Sequence, residues 1–129
     1  MGAWGPGSFE NDDAMDLVAE LLEGDAHQRL GSFFALADLE GYLEVPEAMK
    51  IVAAAELIAA ACSFDHSRIP SEISSAIRDN SEQLKGLAPV GLAALIRVLE
   101  ESELKSLWME GDPEGLWVKS QSRILEALN

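Results

Sequence analysis

Apolar residues recur at helical spacing along most of the chain, and the first clear stripe starts just after residue 11. Its members stand at i, i+3, i+4, i+7 and i+8: Ala14, Leu17, Val18, Leu21 and Leu22. The opposite face of the same segment is acidic and carries Asp12, Asp16, Glu20 and Glu23. Asn11 can cap the start of this helix, and Gly24 can end it. The pattern predicts an amphipathic helix whose outer face is acidic.

The same spacing predicts further helices at about 26–38, 71–80, 89–101, 102–109 and 112–128. Asp25 and Ser71 are the expected N-caps of the first two. Gly86 and Pro89 favour a break in the ambiguous stretch 81–89, between the helices predicted at 71–80 and 89–101. The side chains predicted to face inward are Leu30, Phe33, Phe34, Leu36, Ala37, Ile73, Ala76, Ile77, Leu92, Leu95, Ile96, Leu99, Leu116, Trp117, Ile124, Leu125 and Leu128.

One stretch is apolar on every side. From Ile51 to Cys62 every residue is apolar except Glu56, and a helix of that kind is buried on most sides. Pro46 suits its first turn, and the segment is too short and too Ala-rich for a membrane span. We therefore predict an all-α fold, a single compact domain over residues 1–129 in which six or seven helices pack around a central helix at about 46–63.

An irregular Gly-rich segment precedes these helices. Trp4 and Phe9 stand there on either side of Gly5, Pro6 and Gly7, which are typical of turns. No phosphate-loop pattern is present, and acidic residues follow where a phosphate would bind. We interpret the segment as a lid in which the two aromatic side chains are apolar plugs.

The composition supports the helical fold and limits the classes of partner that the protein can bind. Thr is absent, while Ala and Leu are abundant, which favours helix over strand. The net charge is −14 at pH 7, so binding to nucleic acid or to an anionic membrane surface is disfavoured. Residues 1–65 hold 13 acidic and 2 basic residues, against 10 and 7 in residues 66–129. Such an acidic half either keeps the protein soluble or meets a basic partner.

The single cysteine, Cys62, excludes an internal disulfide and suits a reducing cytosol. Its Ala-rich surroundings favour a buried structural thiol over a nucleophile. No secretory signal pattern is visible, so we expect a cytoplasmic protein.

Metal and cofactor chemistry finds little support. Asp12, Asp13 and Asp16 could place oxygen ligands one turn apart for a divalent cation, but acids at a helix start are expected on a solvated face. His27 and His66 lack the paired spacing of a zinc site. We expect no metal site, no cofactor and no catalytic residue, and the three tryptophans are more typical of core than of ligand stacking.

Glu56 is the most informative single residue. A carboxylate among apolar neighbours should be at least partly buried and, if ionised, must be paired or hydrogen-bonded. It could act as a general acid or base with a raised pKa, but the sequence places no nucleophile or second carboxylate beside it. The favoured hypothesis is structural: Glu56 accepts hydrogen bonds from the Gly-rich segment or from the Trp4 indole.

Several segments together resemble a bacterial domain family of unknown function. Its small members open W-G-x-G-x-F-[DE]-N-D-x-A-x-D, and this chain reads Trp4-Gly5-x-Gly7-x-Phe9-Glu10-Asn11-Asp12-Asp13-Ala14-x-Asp16. The similarity continues in Gly41-Tyr42-Leu43-Glu44-x-Pro46-Glu47, in Ala53-Ala54-Ala55-Glu56, and in Ser102-Glu103-Leu104-x-x-Leu107-Trp108. Residues 71–80 lack the Trp expected there. The resemblance implies a bacterial, cytosolic, stand-alone domain and no particular activity.

The expected function is a non-enzymatic binding module whose acidic face, residues 10–25, meets a basic protein. An immunity-like or antitoxin-like protein is one version, since charge complementarity suits that role. The alternative is a small-ligand binder or enzyme centred on Glu56 and the Trp4–Phe9 loop, and a third option is a purely structural or oligomeric role. The candidate structural or ligand-contact residues are Trp4, Gly5, Gly7, Phe9, Asn11, Asp12, Asp16, Glu56 and Trp108.

Overall fold

A computed structural model describes residues 12–35, 45–63, 69–101 and 116–128. Every regular element within these ranges is an α-helix, which confirms the predicted all-α class. The seven helices are α1 (Asp12–Leu22), α2 (Ala26–Ala35), α3 (Val45–Ser63), α4 (Ser71–Asp79), α5 (Ser81–Lys85), α6 (Ala88–Glu101) and α7 (Leu116–Leu128).

Helix α3 lies at the centre and contacts each of the other six helices. Every residue from Ile51 to Ala61 is buried, including Glu56. Short alanine side chains on several sides of α3 let the surrounding helices approach its backbone closely. The central helix predicted at about 46–63 is therefore confirmed, with its start one residue earlier at Val45.

The short connection between α1 and α2 follows the sequence pattern. The Gly24 amide donates to the Leu21 carbonyl at 3.4 Å and helps to close the end of α1. Asp25 then caps α2, because its Oδ1 accepts a hydrogen bond from the Gln28 amide at 3.0 Å. This turn places α2 directly beside α1, and both helices pack against α3.

The predicted cap of α4 is wrong by one residue. Ser71 is the first residue of the helix, and Pro70 occupies the N-cap position with an extended backbone and no side-chain cap. The Pro70 carbonyl accepts from the Ile73 amide at 3.2 Å, so the proline itself starts the hydrogen-bonded turn. Asn80 then separates α4 from the short helix α5, and Gly86 lies in the predicted break before α6.

Two side chains predicted to be buried are exposed. Leu22, the last residue of α1, is 51% exposed because the helix ends there, at the edge of its apolar stripe. Ile96 is 39% exposed because the face of α6 that packs inward differs from the face that its large apolar residues predicted. The inward face holds Gly91, Ala94, Leu95 and Val98, at i, i+3, i+4 and i+7. Leu92 and Leu99 are therefore only half-buried at the edge of that face.

Gly91 explains why α6 turns this face inward. A Cβ atom at position 91 would lie 3.1 Å from Cζ of Phe34, whose side chain on α2 is 1% exposed. The missing side chain thus lets the Phe34 ring sit against the α6 backbone, in a core where space is filled to near crystal density.

Some predictions fall outside the described residues. They are the Gly-rich segment, the end of the 26–38 helix with Leu36 and Ala37, the 102–109 helix and the start of the last helix at 112. The side chains of Phe33, Leu116 and Trp117 also lie outside the description. Among the helices that are described, none combines the length and the apolar character needed to cross a membrane.

Candidate functional site

The most distinctive polar contact of the described core joins the central helix to the last helix. Nη2 of Arg123 on α7 donates to Oε1 of Glu56 on α3 at a distance of 2.5 Å. The Glu56 side chain is 3% exposed and that of Arg123 is 32% exposed. The carboxylate is thus enclosed, while the guanidinium reaches inward from the edge of the helix bundle.

This geometry agrees with the expectation that a carboxylate at position 56 must be buried and paired. Desolvating an unpaired carboxylate costs several kcal/mol, and a charge-assisted hydrogen bond to a guanidinium offsets much of that cost. The ion pair therefore connects two helices through residues that are 67 positions apart along the sequence.

Two further polar groups of α7 are buried. Gln121 is 1% exposed, and neither its Oε1 nor its Nε2 has a hydrogen-bond partner among the described residues. The Nε of Arg123 is likewise buried without a partner in that part of the chain. A buried polar atom that makes no hydrogen bond costs about 1–3 kcal/mol, so these groups of α7 should lower the stability of the protein.

The acidic face, residues 10–25, includes α1 and the turn after it, and most of its described carboxylates are solvent-exposed. Asp16, Glu23 and Asp25 are exposed, and Glu20 is half-buried. The exposed Leu22 side chain is at the end of α1, at the edge of the opposite apolar stripe. This face therefore presents several carboxylates to the solvent.

Cys62 lies at the end of α3, half-buried against the apolar core. Burial raises the pKa of the Cys62 thiol above its ordinary value, and the positive charge of Lys85 on α5 opposes part of that increase. The thiolate is the reactive form of cysteine, so the observed environment favours the structural interpretation made from the sequence.

Helices α6 and α7 leave an open groove at the surface, lined by Leu92, Ile96, Leu125 and Glu126. Its walls are mostly apolar side chains, and the exposed Ile96 lies within it. No group of three or more His, Cys, Asp or Glu side chains that could hold a metal ion occurs in the described ranges.

The structure describes only some of the candidate residues that were chosen from the sequence. Glu56 is buried and paired, and Asp16 is exposed on α1. Asp12 is the first residue of α1, but its side chain is outside the description. The remaining candidates, Trp4, Gly5, Gly7, Phe9, Asn11 and Trp108, lie outside the described residues. Whether Glu56 also bonds to the Trp4 indole or to the Gly-rich segment therefore stays a prediction.

Sequence reasoning missed Arg123 and Gln121. A buried carboxylate needs a cationic partner, but the chain has nine Lys and Arg residues and the hydrophobic pattern does not identify which of them it is. Gln121 had a clearer signal, because it stands at i relative to Ile124 and Leu128 at i+3 and i+7. That spacing places a polar amide in the buried stripe of α7.

Comparison with known proteins identifies one family. The family described as "Domain of unknown function (DUF4259)" has a sequence model that matches residues 2–120. No curated protein and no solved structure matches the chain. Because the match spans nearly the whole sequence, the chain belongs to this family of domains of unknown function.

Proposed function

We propose that the protein is a non-enzymatic bacterial binding module that meets a basic protein partner through the acidic face, residues 10–25. The observation that supports this is the exposure of Asp16, Glu23 and Asp25 together on and just after one helix. An immunity-like or antitoxin-like role in the cytoplasm is the specific form of this proposal.

The charge distribution favours a basic partner over other classes of ligand. The net charge of −14 repels phosphate backbones and anionic lipid headgroups. Complementary charge raises association rates and excludes partners of the same sign. The exposed Leu22 adds apolar area beside the acidic face, and burial of apolar area strengthens a contact that charge alone leaves weak.

The setting of Glu56 supports a structural role for that residue more than catalysis. A general acid or base must come within hydrogen-bond reach of a substrate, whereas the described part of the core encloses Glu56 and pairs it with Arg123. We infer that Glu56 holds α7 against α3 and, as part of the same proposal, that it accepts a hydrogen bond from the Trp4–Phe9 segment.

Affinity capture from the source organism tests the binding proposal, with three baits. One is the wild type. The second, the α1 bait, carries Asp16→Asn and Glu20→Gln on α1 and Glu23→Gln just after it, and leaves Asp25 intact because it caps α2. The third, a matched control, carries Glu82→Gln, Glu100→Gln and Glu126→Gln on α5, α6 and α7.

Both triple variants remove the same amount of negative charge, so a difference between them reports position rather than net charge. The proposal expects one basic protein on the wild-type and control baits and a marked loss on the α1 bait. Thermal melts of all three baits verify folding. A capture without any basic protein, or equal capture by both triple variants, overturns the proposal.

A further inference from the structure

We draw no further inference here: the strongest candidate, the open apolar groove between α6 and α7 lined by Leu92, Ile96, Leu125 and Glu126, is an exposed face for which nothing in the described part of the structure shows what covers it.

Discussion

At the scale of single residues, the polar groups buried in the described core affect how strongly α7 packs against the other helices. Glu56 accepts from Arg123, whereas Gln121 has no partner among the described residues. The paired charge and the unpaired amide should respond to substitution in opposite ways, since a hydrogen bond offsets the desolvation of the charge and none offsets that of the amide.

Loss of the ion pair should destabilise the protein. Arg123→Met leaves a buried carboxylate without its guanidinium, which costs on the order of 3 kcal/mol when a buried pair is broken on one side. Glu56→Gln keeps an acceptor for Arg123 and should cost less, about 1 kcal/mol. Denaturant unfolding of both single variants and of the double variant measures the coupling.

The double variant is the internal control of this cycle. The double variant should lose less unfolding free energy than the sum of the two single losses. Once Glu56 is neutral, no buried charge is left for Arg123 to compensate. If Glu56→Ala and Glu56→Gln both unfold at the wild-type temperature, the structural role assigned to Glu56 is wrong.

Substitution of the buried amide should stabilise. Gln121→Met keeps a similar length and shape and removes two buried polar atoms, so the free energy of unfolding should rise by about 1–2 kcal/mol. Gln28→Met at an exposed position of α2 makes the same change of side chain and of helix propensity without removing buried polar atoms. A loss of stability for Gln121→Met relative to Gln28→Met would contradict the prediction.

Cys62 should react slowly with iodoacetamide at neutral pH. Since its pKa is raised by burial, a smaller fraction is thiolate than in the unfolded chain, and the rate should climb only at higher pH. Lys85→Met removes the charge that opposes the shift, so it should slow alkylation further. The pH profile of the rate, measured with and without denaturant, checks this, and identical profiles would refute it.

At the scale of helices, two glycines give a matched comparison. Gly31 lies inside α2, and a Cβ there would have no atom within 4 Å, whereas a Cβ at Gly91 of α6 would press on the Phe34 ring at 3.1 Å. Alanine is a better helix former than glycine by about 1 kcal/mol. The two sites therefore share the propensity gain and differ in the packing cost.

Gly31→Ala should raise the melting temperature, with a gain of about 0.5–1 kcal/mol. Gly91→Ala should lower it, because overpacking a filled core costs about 1–3 kcal/mol and the buried Phe34 ring has to shift. Thermal unfolding of the two variants under the same conditions gives the comparison. Equal effects of the two substitutions would mean that α2 and α6 do not approach closely at Gly91.

The helices themselves could be predicted where the information is local. The acidic and apolar faces of α1 and the uniformly apolar run of α3 each follow from residues within one helix. The orientation of α6 could not, because it depends on Gly91 meeting a ring from α2. The same limit applies to Glu56: its burial follows from its neighbours in α3, but the choice of Arg123 depends on the packing of α7.

At the scale of the whole molecule, charge is unevenly distributed along the chain. Residues 1–65 carry most of the acidic excess. The exposed carboxylates that the structure describes in this half belong to α1 and to the turn after it. Exposed charges interact over roughly 10 Å at moderate salt and are screened beyond that distance. An association driven by this face should therefore weaken as ionic strength rises.

The most direct test of the proposed function is the dissociation constant of the captured partner at low and high ionic strength. For the wild type and the control variant, the account predicts tight binding at low salt that weakens as salt is added. The α1 variant should bind about tenfold more weakly at low salt, as expected when three contributions of roughly 0.5 kcal/mol are lost. It should also show less salt dependence. Equal dissociation constants for the α1 and control variants at low salt would contradict the account.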